Sequence, residues 1–544
     1  MSVLVAKGVT VSFGPRTVLA GVDLDVSPGD RVGLIAPNGV GKSTLLRVLA
    51  GELPPEQGSV TRHPATAVVA HLTQETQPGA GPAHPGESLR DHLARRTGVA
   101  EAEQRLQRTA EALADGGRHV EDDYAAALDH WTAVGAADFA ERADAVCDRL
   151  GLPATLLDDR DVRELSGGQS ARLRLAAVLL VRADVLLLDE PTNDLDVAGL
   201  ELLEAHVTAS PAGMVLVSHD REFLARTVTA VADLDEFSHQ LRVFHGGWDA
   251  YLEERDAADR HARESYERYA ATRDALAERA RQAREWARTG ERRVARSGET
   301  DKHIKHHHRQ TAQYGAGKAS AAERALDRLT EVAEPREPWE LRLRLPSAGR
   351  GSQVVFTLRQ AVIRRGDVTL GPVNLTIGAG ERWRITGPNG TGKSTLLGAL
   401  LGRVPLVSGE RAVGANVVVS EVDQLRAAFA TDRPVLAVVA EAAGLSEEDT
   451  RTLLAKFRVD ADAVVRPART LSPGERTRAG LALLQARGTT CLVLDEPTNH
   501  LDLPAIQQLE QALTDYPGTV LLVTHDRRFA QAVRVDHELD VREL

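Results

Sequence analysis

The run Val32-Gly-Leu-Ile-Ala-Pro-Asn-Gly-Val-Gly-Lys42-Ser-Thr-Leu-Leu-Arg-Val-Leu49 decides the fold of this 544-residue chain. Val32–Ala36 is an apolar stretch of strand length, Lys42–Leu49 is apolar at helical spacing, and a loop containing Gly39 and Gly41 lies between them. A strand–loop–helix of this kind cradles phosphate. Loop N–H groups and the helix N-terminus face the anion, Lys42 reaches the outer phosphate oxygens, and the Ser43 hydroxyl can ligate Mg2+. The expected unit is therefore α/β, built on a parallel sheet with phosphate bound at its carboxyl edge.

The run occurs twice. Ala36-Pro-Asn-Gly-Val-Gly-Lys-Ser-Thr44 returns as Gly387-Pro-Asn-Gly-Thr-Gly-Lys-Ser-Thr395, 351 positions later. Leu165-Ser-Gly-Gly-Gln169 returns as Leu471-Ser-Pro-Gly-Glu475, 306 positions later. Leu186-Leu-Leu-Asp-Glu-Pro-Thr-Asn-Asp-Leu-Asp196 and Ser218-His-Asp-Arg221 return as Leu492-Val-Leu-Asp-Glu-Pro-Thr-Asn-His-Leu-Asp502 and Thr524-His-Asp-Arg527, also at 306. Four motifs in one order, twice, are a tandem duplication. The smaller second offset places an insertion of about 44 residues somewhere in Glu87–Gly151, since Gln74 to Ser166 in the first copy corresponds to the shorter Gln424 to Ser472 in the second. The stretch Glu87–Gly151, with Leu93, Ala100, Leu106, Ala110 and Leu113 at helical spacing, reads as a helical arm.

The expected division is a first nucleotide-binding unit over 1–250, a linker over 251–334 and a second unit over 335–544. Glu253–Arg288 reads as one long charged helix, and Ala319–Glu331 as its antiparallel return. Pro335, Pro338 and Pro346 mark the exit into the second copy. The linker tip, Arg281–Lys318, holds ten Lys/Arg and four Asp/Glu, a net +6, on a chain whose total is −12. A basic tip on an acidic body suits contact with RNA phosphate. His303, His306, His307 and His308 lie in the same tip; a metal site there lacks a neighbouring Cys or carboxylate cluster.

Val185–Glu190 and Cys491–Glu496 read as buried parallel strands ending in paired carboxylates. Asp189 and Asp495 suit the Mg2+ shell. Glu190 and Glu496 are placed to polarise an attacking water, and His219 and His525 to reach the γ-phosphate side. A single acidic pair would otherwise read as a solvated turn; the ordered company of the other motifs removes that reading.

Leu165-Ser-Gly-Gly-Gln169 resembles the signature of ATP-binding cassette ATPases. Two cassettes on one chain, the charged linker, the arm and Asp-Glu-Pro-Thr-Asn-x-Leu-Asp together resemble the F subfamily, over essentially the whole chain. The resemblance implies two ATPs held head to tail. One lies between Asn38, Gly39, Gly41, Lys42, Ser43 and Thr44 of the first loop and Ser472, Gly474 and Glu475. The other lies between Gly387, Asn389, Gly390, Gly392, Lys393, Ser394 and Thr395 and Ser166, Gly167, Gly168 and Gln169. It also implies that Phe13 stacks on adenine and that Gln74 and Gln424 complete the Mg2+ shells. The expected partner is the ribosome, rRNA with tRNA near the exit site, met by a cytoplasmic monomer whose cassettes pair within the chain. The role is then translation factor or antibiotic protection.

Departures from that pattern make the two sites unequal. Ala36 stands where the second loop has Gly387, so the first loop is expected to be tighter or adjusted. Pro473 lacks an N–H that glycine would offer to phosphate. Arg364 occupies the position of Phe13, and Asp194 that of His500.

Composition narrows the alternatives. Cys147 and Cys491 are the only cysteines, which excludes a disulfide framework and a zinc-bearing DNA-repair ATPase. No run of 18 apolar residues occurs, so an ATPase subunit of a transporter, the competing reading, would need separate membrane chains. A purely structural module is disfavoured by both catalytic-type glutamates being present.

Overall fold

A computed structural model describes residues 2–73, 86–115, 120–296, 320–321, 324–330, 332, 352–366, 368–421, 428–499 and 501–544. The chain divides into two compact units, one of Met1–Trp248 with Glu340–Leu544, the other Asp249–Trp339.

In the first unit each cassette is built on two sheets. Strands β1 (Leu4–Phe13), β2 (Arg16–Val26) and β4 (Gln57–Arg62) form an antiparallel sheet in the order β2-β1-β4. Strands β3 (Arg31–Ile35), β5 (Val69–Leu72), β6 (Val185–Asp189), β7 (Gly213–Val217), β8 (Ala230–Leu234) and β9 (Leu241–His245) form the second, in the order β5-β6-β7-β3-β8-β9. It is parallel except for β9. Leu4, Leu19, Leu45, Leu187 and Val215 meet in the core between the sheets, all fully buried.

The second cassette repeats the plan. Strands β10 (Val354–Arg365), β11 (Val368–Gly378) and β13 (Leu406–Val413) pair as β11-β10-β13. Strands β12 (Arg382–Thr386), β14 (Val419–Glu421), β15 (Cys491–Asp495), β16 (Thr519–Val523) and β17 (His537–Asp540) form a parallel sheet, β14-β15-β16-β12-β17. Val185–Leu188 and Cys491–Leu494 are buried at every position, as strands covered on both faces must be. Because β6, β7 and β3 are neighbours, their carboxyl ends bring Glu190, His219 and the phosphate loop together; β15, β16 and β12 do so for Glu496, His525 and the second loop.

Within Glu87–Gly151 some helices are shared by both cassettes and some are added. Helix Phe139–Arg149 corresponds, at 306 positions, to Glu447–Lys456, and Leu89–Arg96 has its counterpart in Val435–Ala443. What the first cassette adds is the helix pair Val99–Ala114 and Val120–Ala133. Ala-rich helical composition runs through both the shared and the added helices, so periodicity alone could not separate them.

In the second unit a single helix runs Gly247–Arg296, longer at both ends than the expected Glu253–Arg288. Of the expected return over 319–331, residues 320–321 and 324–327 are helical; most of the tip lies outside the described residues. Among the described residues no helix is long and apolar enough to cross a membrane.

Candidate functional site

Each phosphate loop closes around its own lysine. Lys42 Nζ donates to Ala36 O at 2.8 Å and to Asn38 Oδ1 at 3.2 Å. Lys393 Nζ donates to Gly387 O at 2.7 Å, Pro388 O at 3.1 Å and Asn389 Oδ1 at 3.4 Å. Both ammonium groups are buried, and burial pushes both below the usual lysine range against the pull of nearby carboxylates. Gly39, Gly41, Gly390 and Gly392 all have φ between 82° and 135°. At Gly41 a Cβ would also meet Val18 Cγ1 at 2.6 Å, so the turn tolerates no side chain there. Gly387 adopts φ 139°, whereas Ala36 stays out of the left-handed region. The first loop therefore takes a different turn at this position, the adjustment the alanine demands.

Ser43 Oγ donates to Asp189 Oδ2 at 2.7 Å and Ser394 Oγ to Asp495 Oδ2 at 3.0 Å. A hydroxyl and a carboxylate at this separation, beside the first turn of the helix, can share one hard cation with phosphate oxygens. Among the described residues no cluster of three His, Cys, Asp or Glu side chains could hold a metal alone.

Glu190 and Glu496 sit one residue past their strands at φ 52° and 44°, conformations a non-glycine residue rarely adopts. Burial first, then the adjacent aspartate, raises the Glu496 carboxyl to about 8. Glu190 is raised as well, chiefly by burial. Glu496 Oε2 accepts from His525 N at 3.4 Å, and both Glu190 carboxylate oxygens and Glu496 Oε1 are buried. Burial thus favours the protonated carboxyl at neutral pH, and cationic charge brought beside it would restore the carboxylate that can accept a proton from water. His219 Nε2 lies 3.2 Å from Glu190 Oε1, and His525 Nε2 3.6 Å from Glu496 Oε1. Burial, then Lys393, lowers His525 to about 4, leaving a neutral imidazole at physiological pH.

Ser166 and Ser472 cap the helices Gly167–Leu180 and Pro473–Arg487, and Gln169 and Glu475 complete a capping box in each. Glu475 also bonds Arg466 at 2.9 Å. Pro473 occupies the helix start, where its missing N–H costs the helix nothing. It still removes a donor that Gly167 retains.

The cassettes face each other head to tail. A Cβ on Gly168 would lie 3.1 Å from Asn389 Cβ, so the first signature abuts the second loop, and Arg172 Nη2 donates to Asn389 O at 3.3 Å. Asn38 N donates to Asp502 Oδ2 at 3.3 Å and, reciprocally, Asn389 N to Asp196 Oδ2 at 3.0 Å. Away from the loops, Arg221 pairs with Glu510, Arg527 with Glu201 and Glu204, and Arg528 with Glu222. Asp196, Asp502 and these ion pairs were not read as site residues. Asp196 and Asp502, Arg221 and Arg527, and Glu204 and Glu510 recur at 306 positions, a signal present in the sequence, whereas Glu201 and the Glu222–Arg528 pair do not recur.

The structure leaves two expected residues outside the described set, Gln74 and Gln424, together with His500. Phe13 is 52% exposed at the end of β1, and neighbouring Arg16 donates from Nη2 to Gly39 O at 3.3 Å. Arg364, its counterpart, is exposed on β10. Thr44 is half-buried and Thr395 buried at the first turn of its helix.

The profile of the family described as ABC transporter matches residues 19–193 and 370–499. The tylosin resistance ATP-binding protein TlrC of Streptomyces fradiae is 35% identical over 572 residues, spanning 100% of this chain and 98% of that protein. ABC transporter F family member 2 of Arabidopsis thaliana is 31% identical, over 99% of this chain and 76% of that protein. The energy-dependent translational throttle protein EttA of Mycobacterium tuberculosis is 30% identical, over 96% of this chain and 88% of that protein.

Proposed function

We infer, from the fact that this chain belongs to the F subfamily of the ATP-binding cassette family and is an ATPase, that it works on the ribosome as a cytoplasmic monomer. ATP-driven pairing of its two cassettes would set the linker, as translation factor or as antibiotic-protection protein. The observation that carries this reading is end-to-end similarity, linker included, to a translational throttle protein and to a tylosin resistance protein. The basic tip, net +6 over Arg281–Lys318, supports an RNA partner with tRNA near the exit site, since phosphate neutralisation dominates such affinity.

In the proposed mechanism Lys42 and Lys393 leave their loop carbonyls for the phosphates of ATP. Ser43 with Asp189, and Ser394 with Asp495, would hold Mg2+, together with Gln74 and Gln424. Mg2+ supplies neutralisation of the charge on the phosphate oxygens. Glu190 and Glu496 orient the attacking water and accept its proton, and His219 and His525 hydrogen-bond the γ-phosphate side. The signature of the opposite cassette closes each site, Ser472, Gly474 and Glu475 over one and Ser166–Gln169 over the other. Phe13 stacks on adenine in the first.

The test is the double variant Glu190→Gln/Glu496→Gln, which should bind ATP without hydrolysing it and co-sediment with ribosomes when ATP is present. Sedimentation with membranes alone would favour a transporter ATPase. Sedimentation with neither refutes the ribosome reading.

A further inference from the structure

Asp194 and Arg174 break the internal symmetry of the chain. Their counterparts 306 positions on are His500 and Gly480, so an ion pair available to the first cassette has no equivalent in the second. In the structure Arg174 Nη2 donates to Asp194 Oδ2 at 2.7 Å and to Asn193 O at 3.4 Å. Asp194 sits at φ 60°, a conformation that must be held by its surroundings.

What holds it crosses to the other cassette. Asn499 Nδ2 donates to Asp194 Oδ1 at 3.3 Å, and Asn389 Nδ2 donates to Asp194 O at 2.7 Å. Asn499 belongs to the turn that carries Glu496, closing it with a bond from Asn499 N to Glu496 O at 3.3 Å. Asn389 belongs to the phosphate loop of that same second site. One residue of the first cassette therefore touches both the catalytic turn and the phosphate loop of the site opposite. Arg174 anchors it to the helix that starts with the signature Ser166–Gln169.

We propose that Asp194, held by Arg174, is a positioning residue for the second ATP site. Its carboxylate fixes the turn bearing Glu496 relative to the signature helix that closes over that site. At the first site the corresponding residues are His500 and Gly480, neither of them anionic. The two sites thus differ in how firmly their catalytic glutamates are set, independently of the differences at Ala36 and Pro473. This inference rests on ATP hydrolysis alone, so loss of the ribosome reading would leave it standing.

The test uses the full chain and steady-state ATP hydrolysis, with kcat and KM measured separately for Asp194→Asn, Arg174→Ala, the double variant and Arg174→Lys. Asp194→Asn keeps the size of the side chain and the backbone contact with Asn389 but removes the charge. The pair is partly exposed, at 27% for Arg174 and 53% for Asp194. Each single variant should then lower kcat by about three- to fivefold, the scale of a half-exposed ion pair, with KM within about twofold. The double variant should be no worse than the worse single one, because the two residues act as one unit. Arg174→Lys, which retains a cation and a long apolar stem, should recover at least half the loss. An unchanged kcat, additive losses, a change in KM alone, or Arg174→Lys as impaired as Arg174→Ala would each overturn the proposal.

Discussion

Replacing Arg221 by alanine should impair closure of the cassettes far more than replacing Arg528, although both arginines bridge the same interface. Arg221 donates from Nη1 to Glu510 Oε2 at 3.4 Å and bonds Glu510 Oε1 through Nη2, with the two side chains only 13% and 14% exposed. Its loss strands a largely desolvated carboxylate, and it also removes the positive charge that offsets the burial of Asp526. Breaking a buried pair in this way costs about 3–5 kcal/mol. The lower end suits a pair that water can partly reach on opening, and 3 kcal/mol is about a 150-fold shift in an equilibrium. Arg528 and Glu222 are 31% and 26% exposed, and Glu222 retains Arg226 Nε at 2.9 Å when Arg528 is gone. That pair should contribute about 1 kcal/mol or less, roughly fivefold at most. The assay is fluorescence energy transfer between one label on each cassette, in the Glu190→Gln/Glu496→Gln background, titrated with ATP. Arg221→Ala should raise the half-saturating ATP concentration by about 100-fold, and about 0.5 M salt should leave most of that difference in place because the pair is poorly screened. Equal shifts for Arg221→Ala and Arg528→Ala, or a shift below about tenfold for Arg221→Ala, would refute the reasoning.

At saturating ATP, Glu496→Gln should remove more of the ATPase activity than Glu190→Gln, because Pro473 denies the first site a backbone donor that Gly167 offers the second; a larger loss from Glu190→Gln reverses the ranking. Replacing Arg292, Arg293, Arg296, Lys302, Lys305 and Arg309 by serine should weaken ribosome binding and flatten its salt dependence, and an unchanged slope in sedimentation would mean these residues only face solvent. Burial raises Asp220 from its ordinary 3.8 to about 6, so folding favours its protonated form. Its stabilising contribution is complete below the unfolded value of 3.8 and is lost as pH rises through about 6, at most about 3 kcal/mol. Asp220→Asn keeps the cap on Glu222 N and Phe223 N, so denaturant unfolding from pH 4 to pH 7 should show a shallower decline than wild type; identical slopes would remove Asp220 as the cause.

The sequence by itself determined the cassette duplication, both phosphate loops, the strand-terminal carboxylates and the capped signature helices. In each case the physical cause is local. A strand, a glycine turn and a helix start are contiguous, and Ser166 with Gln169 completes its box within three residues. The long linker helix was legible for the same reason, since charged residues free of Pro and Gly favour one continuous helix. The limits of the insertion inside Glu87–Gly151 were not, because the shared and the added helices carry the same kind of pattern; only the position of each helix in its own cassette separates them. Tertiary structure alone decided which residues meet across the interface. Asp502 reaches Asn38, Asp196 reaches Asn389, Arg221 meets Glu510, and Asp194 meets Asn499. These partners stand hundreds of positions apart, and their charges gain meaning only where head-to-tail packing excludes water. Ala36 shows the same division at one residue: its identity announced a departure from Gly387, and the folded loop set the backbone turn that accommodates it.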